Sequence, residues 1–481
     1  MRLSLTLLLA SSCALAADSR LVDAARIQDS KAVRSLLAQK VDVNARGTDG
    51  ATALLWSAHW DDTETANLLL AAGADANIAN DFRMTPLSQA CTTGDAELVR
   101  LLLKYGAKPN TAIATGETPL MTCAKTGTTD GVRMLVEFGA DVNATEATGQ
   151  TALMWAIAER HSDTAEALIA ARADVKGLTK QGFAPIHFAA RVGDMESLKQ
   201  LLATGVDVNM LTGAGAGVGY TPLLVATLRA QIEVAVYLLD HGADPNNNAA
   251  GFLPLHWAST TWEGYSSNPV YGFEDPMSGI PDRKGKLRLV KALLAHGAKV
   301  NAQMTKRQPS FGTGYTDGVG ATALLLAASV QDVEMMQILL DAGADPRIQT
   351  ATKAHAIMAA SGLNHGIGES FVTEAEAIAA VNLLLQHGVD PKGETTVNEN
   401  ALFGPAYRGW NTLLEQLIKL GVNVNAVSKA DTTPWRAANG EGDRLGGVLF
   451  NKAGADLLVR YGADPKLGSP CESQNRCREK Q

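Results

Sequence analysis

Hydrophobic positions along the chain come in short runs at helical spacing, separated by glycine and by polar turn residues. Residues 81 to 113 show one complete unit. Thr85 is placed to cap a first helix, and Pro86 suits its first turn, where no amide partner is needed; Leu87, Ala90 and Cys91 then share one apolar face. Thr92, Thr93 and Gly94 make a turn. A second helix is predicted to start near Asp95 and to carry Leu98, Val99, Leu101, Leu102 and Leu103 on a broad apolar face. It stops at Gly106, which tolerates the left-handed conformation past a helix end. The polar stretch that follows turns the chain back toward the next pair.

The pattern returns with a period of 33 residues. Thr52-Ala-Leu-Leu, Thr85-Pro-Leu-Ser, Thr118-Pro-Leu-Met, Thr151-Ala-Leu-Met and Ala184-Pro-Ile-His187 start at successive steps. Thr221-Pro-Leu-Leu, Leu253-Pro-Leu-His256, Thr322-Ala-Leu-Leu, His355-Ala-Ile-Met, Asn400-Ala-Leu-Phe and Thr433-Pro-Trp-Arg continue the series. A second anchor follows in register, clearest at Gly73-Ala-Asp-Ala-Asn77, Gly106-Ala-Lys-Pro-Asn110, Gly139-Ala-Asp-Val-Asn143, Gly242-Ala-Asp-Pro-Asn246 and Gly343-Ala-Asp-Pro-Arg347. Counting back from Thr52 reaches Ser19, so about twelve units are expected. Each helix pair exposes apolar surface on two sides and can bury it only against its neighbours, which predicts a stack.

Composition agrees with a folded chain: 46% of the 481 residues are hydrophobic, and 17 prolines are far too few for a collagen-like chain. The balance of 42 basic against 50 acidic side chains gives a net charge of −8, which argues against a nucleic-acid partner, since a polyanion needs a basic face.

The period and the Thr-Pro-Leu-His-like start resemble the ankyrin repeat family. The resemblance covers roughly residues 18 to 467 and implies an all-α solenoid of helix-turn-helix units. Its concave side would be built from the first helices and from hairpin fingers between units. It also implies that His187 and His256 take the family's turn-bonding place. Lys40 and Arg172 depart from the pattern by replacing the usual helix-ending glycine.

The period is broken in several places, the last unit by an 8-residue excess among them, and insertions are where repeat proteins often carry binding. Extra residues fall at about 261–286, 302–320 and 361–375, and a glycine-rich run, Gly213 to Gly219, lengthens another finger. The glycine run lacks the lysine and Ser/Thr of a phosphate loop and reads as a finger. Trp262, Tyr265, Tyr271, Phe273, Phe311 and Tyr315 lie in residues 261–320, about twice the share expected from the aromatic content of the chain. They are the candidate partner-binding residues, because rigid aromatics supply contact area at low entropic cost. The bland alternative is that they pin the loops onto the stack.

Residues 1–16 read as a signal peptide: Arg2, a short apolar run, and small residues before Ala17 and Asp18, with cleavage expected after Ala16. Ala10-Ser11-Ser12-Cys13 resembles a lipobox but lacks the leucine three places before Cys13. The leader and the compact style of the chain point to a bacterial protein that is periplasmic or secreted. Removing it leaves Cys91, Cys123, Cys471 and Cys477. Cys471 and Cys477, in the polar tail 468–481, are a possible disulfide. Cys91 and Cys123 occupy small-residue places on neighbouring first helices and read as buried free thiols. No later segment approaches the length of a membrane span.

Catalytic motifs are missing: there is no Gly-x-Ser-x-Gly, His-Glu-x-x-His or Cys-x-x-Cys. His241, His296 and His387 precede glycines that end second helices, where positive charge suits the helix dipole. His365 with Glu369, and His59 with Asp61 and Asp62, are too few ligands for a metal site. Trp56, Trp155, Phe188 and Trp257 share one place in their units and read as packing between repeats. The expectation is therefore a monomeric, noncatalytic scaffold for a protein partner, with no cofactor and no metal, binding through the concave face and inserted loops. Two alternatives stand beside it. One is an enzyme or small-ligand protein with Trp262, Tyr265, Tyr271 and Asp275 lining a pocket; the other is a secreted effector that binds a host protein.

Overall fold

The computed structural model describes residues 18–213, 218–260, 283–306, 318–363, 372–441 and 450–469. Their regular structure is all helical, in 24 α-helices. The chain divides into two compact units, Met1–Val206 and Asp207–Gln481.

In the first unit the helices pair in chain order: α1 Arg20–Arg26 with α2 Ser30–Ala38, α3 Ala53–His59 with α4 Thr63–Ala71, and α5 Pro86–Thr93 with α6 Ala96–Lys104. Then come α7 Pro119–Thr126 with α8 Thr129–Glu137, α9 Ala152–Ala158 with α10 Ser162–Ala170, and α11 Pro185–Val192 with α12 Met195–Ala203. First helices pack side by side in series, and so do second helices. Leu98, Val99, Leu102 and Leu103 of α6 are buried as expected, while Leu101 is half-buried at the edge of that face.

The second unit repeats the arrangement with α13 Pro222–Leu228 and α14 Ile232–Asp240, α15 Pro254–Ala258 and α16 Arg283–Ala295, and α17 Ala323–Ser329 and α18 Val333–Asp341. It continues with α19 Ala356–Ala360 and α20 Glu374–Gln386, α21 Phe403–Arg408 and α22 Asn411–Lys419, and α23 Pro434–Ala438 and α24 Lys452–Arg460. The expected insertion at 261–286 overlaps α16, so residues 283–286 are helical. The polar look of that stretch hides a buried ammonium: Lys286 reaches the carbonyl of Thr260. The expected insertion at 361–375 likewise overlaps α20, where Thr373 and Glu376 cap each other at the helix start.

Threonine starts the first helices for the reason the sequence suggested. Its hydroxyl accepts the amide three residues on, from Thr52 to Leu55 at 3.2 Å, Thr85 to Ser88 at 3.1 Å and Thr221 to Leu224 at 3.1 Å. Ala184 and Leu253 have no acceptor to offer. There the motif histidines act instead: Nδ1 of His187 accepts the Ala184 amide at 3.1 Å, and Nδ1 of His256 accepts the Leu253 amide at 2.9 Å. Lys40 and Arg172 do stand in the left-handed region, at φ 57° and 65°, where a glycine would be free of strain.

Neighbouring pairs are stitched at the base of each finger by an asparagine. Asn77 Oδ1 accepts the Lys108 amide at 2.8 Å, and its Nδ2 donates to the Gly106 carbonyl at 3.0 Å. Asn110 repeats both bonds with Asp141 and Gly139, and Asn44 and Asn143 make the first with Asp75 and Asp174. In the second unit Asn209, Asn246, Asn301 and Asn425 each make the full pair of bonds to the next finger. A buried Arg436, at the histidine place of the last motif, closes the array. Its Nε donates to the Leu467 carbonyl at 2.7 Å, Nη2 to Gly468 at 3.0 Å, and Nη1 pairs with Glu441.

Cys91 and Cys123 are joined by a disulfide, which corrects the reading of free thiols. They hold neighbouring places, the sixth residue of α5 and the fifth of α7, and packing those helices side by side brings their Cα atoms to 4.5 Å. Both side chains are fully buried. The bond spans a sequence separation of 32, for which chain entropy gives about 3–4 kcal/mol. Replacing both cysteines by alanine is expected to lower the stability of the first unit by about 3 kcal/mol in urea unfolding and to leave the second unit untouched. An unchanged midpoint would mean that the bond contributes nothing.

Burial pushes His256 down to about 4, against the pull of the Ala302 carbonyl that Nε2 faces at 2.9 Å. His355 is likewise pushed down to about 4 by burial, against the opposing charge of Asp390. The unfolded chain protonates these rings near 6.5, so it binds more protons than the folded one between the two values. Stability of the second unit is thus complete above pH 6.5 and is lost toward pH 4, about 3 kcal/mol per histidine. Denaturant unfolding across this range should show the loss, and His355→Thr should roughly halve it; an identical pH profile in the variant would contradict the assignment.

Candidate functional site

The first helices of the first unit carry an aromatic group at one face. Trp56 and Trp60 lie near-parallel at 24° with centroids 6.5 Å apart, and His59 meets both rings edge-on at 5.4 and 4.7 Å. Helical spacing explains the grouping, since Trp56, His59 and Trp60 stand three and four residues apart at the end of α3. Trp60 Nε1 donates to the Arg26 carbonyl at 3.0 Å, which fixes the ring while 42% of the residue stays exposed. Farther along the series Lys125 Nζ sits 4.6 Å over the Trp155 ring, and Phe188 is half-buried on α11.

The shared bulky place is thus only partly packing. Trp257 is buried and stacks on Phe252 in the second unit, but Trp56, Trp155 and Phe188 keep exposed edges. Trp60 was not singled out in the sequence, because it lies one turn beyond the shared place and nothing in the period marks its exposure. The Cys91–Cys123 bond joins two helices of the same series, and its signal, neighbouring places on first helices of adjacent units, was present in the sequence.

Next to this group Asp61 and Asp95 interact. Burial and a hydrogen bond to Asp95 raise the Asp61 carboxyl. Burial acts on Asp95 too, but the Thr63 hydroxyl at 2.7 Å and the amides of Leu98 and Glu97 hold it low. Asp95 is the N-cap of α6, a structural duty. His59 thus makes aromatic contacts and Asp62 caps α4, and among the described residues no group of three metal-ligating side chains occurs. His241, His296 and His387 each place Nδ1 at 2.8–2.9 Å from the carbonyl four residues back, at the ends of α14, α16 and α20. They are helix-end residues, as their position before glycine suggested.

Trp262, Tyr265, Tyr271, Phe273, Asp275, Phe311 and Tyr315, with His365, Glu369, Cys471 and Cys477, lie outside the described residues. Among the described residues no helix is long and apolar enough to cross a membrane.

Comparison with known families completes the picture. A family model described as ankyrin repeats in three copies matches residues 21–113, 111–178 and 186–266, and a single ankyrin repeat matches 319–351. Together these cover more than half of the chain. With paired helices, threonine caps and asparagine stitches in the same register, the chain belongs to the ankyrin repeat family.

Proposed function

We propose that this chain is a noncatalytic scaffold that holds a protein partner outside the reducing cytoplasm, with the first-helix face of the first unit as its contact surface. Ankyrin repeats generally mediate protein–protein interaction, which sets the class of partner. The observation that carries the reading is the Trp56–His59–Trp60 group: a tryptophan anchored through its Nε1 yet exposed over its ring supplies contact area at little entropic cost. The aromatic-rich insertions at 261–286 and 302–320 remain a second proposed contact.

Export is supported by the leader-like residues 1–16 and by the Cys91–Cys123 bond, since buried structural disulfides belong to oxidising compartments. Periplasmic or secreted placement follows as part of the same proposal.

Affinity capture by the full chain from a periplasmic extract, followed by binding measurement with the retained protein, tests it. Trp60→Ala should weaken binding by about tenfold or more with helix content unchanged, as expected for an aromatic anchor. A variant lacking residues 262–284 reports on the insertion separately. Retention by both variants at full strength would remove both proposed surfaces.

A further inference from the structure

Each asparagine stitch ties one finger to the next, and the second unit omits it twice. Arg347 stands where Asn301 or Asn425 would, and folds back on Asp345 at 2.9 Å. Lys392 stands at the next such place, with its stem beside Gly421. Among the described residues α19/α20 is the helix pair that lacks the stitch on both sides.

The same pair has lost its cap. His355 replaces the threonine that starts other first helices and makes no side-chain cap bond. Its ring is 4% exposed and lies against Gly393, and neither Nδ1 nor Nε2 has a hydrogen-bond partner. Gln331, which reaches across from the α17–α18 turn, spends its Nε2 on the Ala360 carbonyl at 3.0 Å and leaves Oε1 buried without a partner. Folding thus dehydrates three polar atoms at this pair, and opening it returns all three to water. The helix α19 has only five residues, too few to persist alone.

Other bonds do hold the pair. The finger amide of Thr396 donates to the Thr352 carbonyl at 2.8 Å, and that of Lys429 to Val397 at 2.9 Å. Glu374 Oε1 accepts the Thr412 and Leu413 amides at 2.6 and 2.9 Å, so α20 caps α22. Finger bonds of this kind also join other units, as between Ala351 and Val319, so they do not restore what is missing. The Glu374 cap favours the far neighbour, α22, over the α17/α18 side.

We propose that α19/α20 is a built-in break point of the second unit, opening as one local element while α13–α18 and α21–α24 stay folded. In a stack each pair touches only its neighbours, so melting an interior pair uncouples its two flanks.

Amide hydrogen exchange of the full chain, read by peptide, tests this. Residues 355–363 and 374–389 should exchange faster than α17/α18 and α21/α22. Arg347→Asn is designed to give the Asp390 amide and the Gly388 carbonyl their missing partner, and Lys392→Asn does the same for Asn423 and Gly421. The double variant should slow exchange in 355–389 by about tenfold, as one net hydrogen bond would, with no change in the first unit. His355→Thr, which restores the cap, should slow it independently. Exchange in 355–389 no faster than in the flanking pairs, or unaltered by all of these substitutions, would overturn the proposal.

Discussion

Stacking alone does not fix how one helix pair sits on the next, because apolar faces slide at little cost. The asparagine at the base of the finger removes that freedom. Its amide has an accepting oxygen and a donating nitrogen, and at Asn77, Asn110 and Asn246 both are used on the backbone of the following unit, one on an amide and one on a carbonyl. Each net bond is worth only about 1 kcal/mol, but in a one-dimensional array that is a large part of a single interface term. Lysine or arginine at this place can donate but cannot accept, so Arg347 and Lys392 leave the amide of the next finger without its usual partner group.

This division explains why some of the molecule was legible in the sequence and some was not. Local features were readable, because Thr85, Pro86, Asp95 and Gly106 act within a few residues of themselves, and a 33-residue period places them in register. The start of α16 was not legible for a different reason. Arg283 to Lys286 looks like solvated loop, yet Lys286 is buried by virtue of a carbonyl at Thr260, far along the chain. Partnership across a distance is invisible to a local reading.

The cysteines mark the same boundary from the other side. Both stand on first helices of adjacent units, one step apart in register, and first helices of adjacent units pack side by side. What tipped the reading toward free thiols was the general habit of buried cysteine, which carries less information than the register itself. For Trp60 the register says nothing, since exposure depends on the Arg26 carbonyl that holds the ring in place.

The two units are consequently secured by different means. The first has a covalent link between α5 and α7 in the middle of its series, beside asparagine stitches at Asn44, Asn77, Asn110 and Asn143. The exposed tryptophan belongs to this secured unit, and an anchor ring is useful only if its scaffold does not yield when a partner binds. The second unit has stitches at both ends, at Asn209 to Asn301 and at Asn425, and a run without them between. A rigid surface in one unit and a yielding pair in the other would let the chain hold a partner firmly while still accommodating strain along its length.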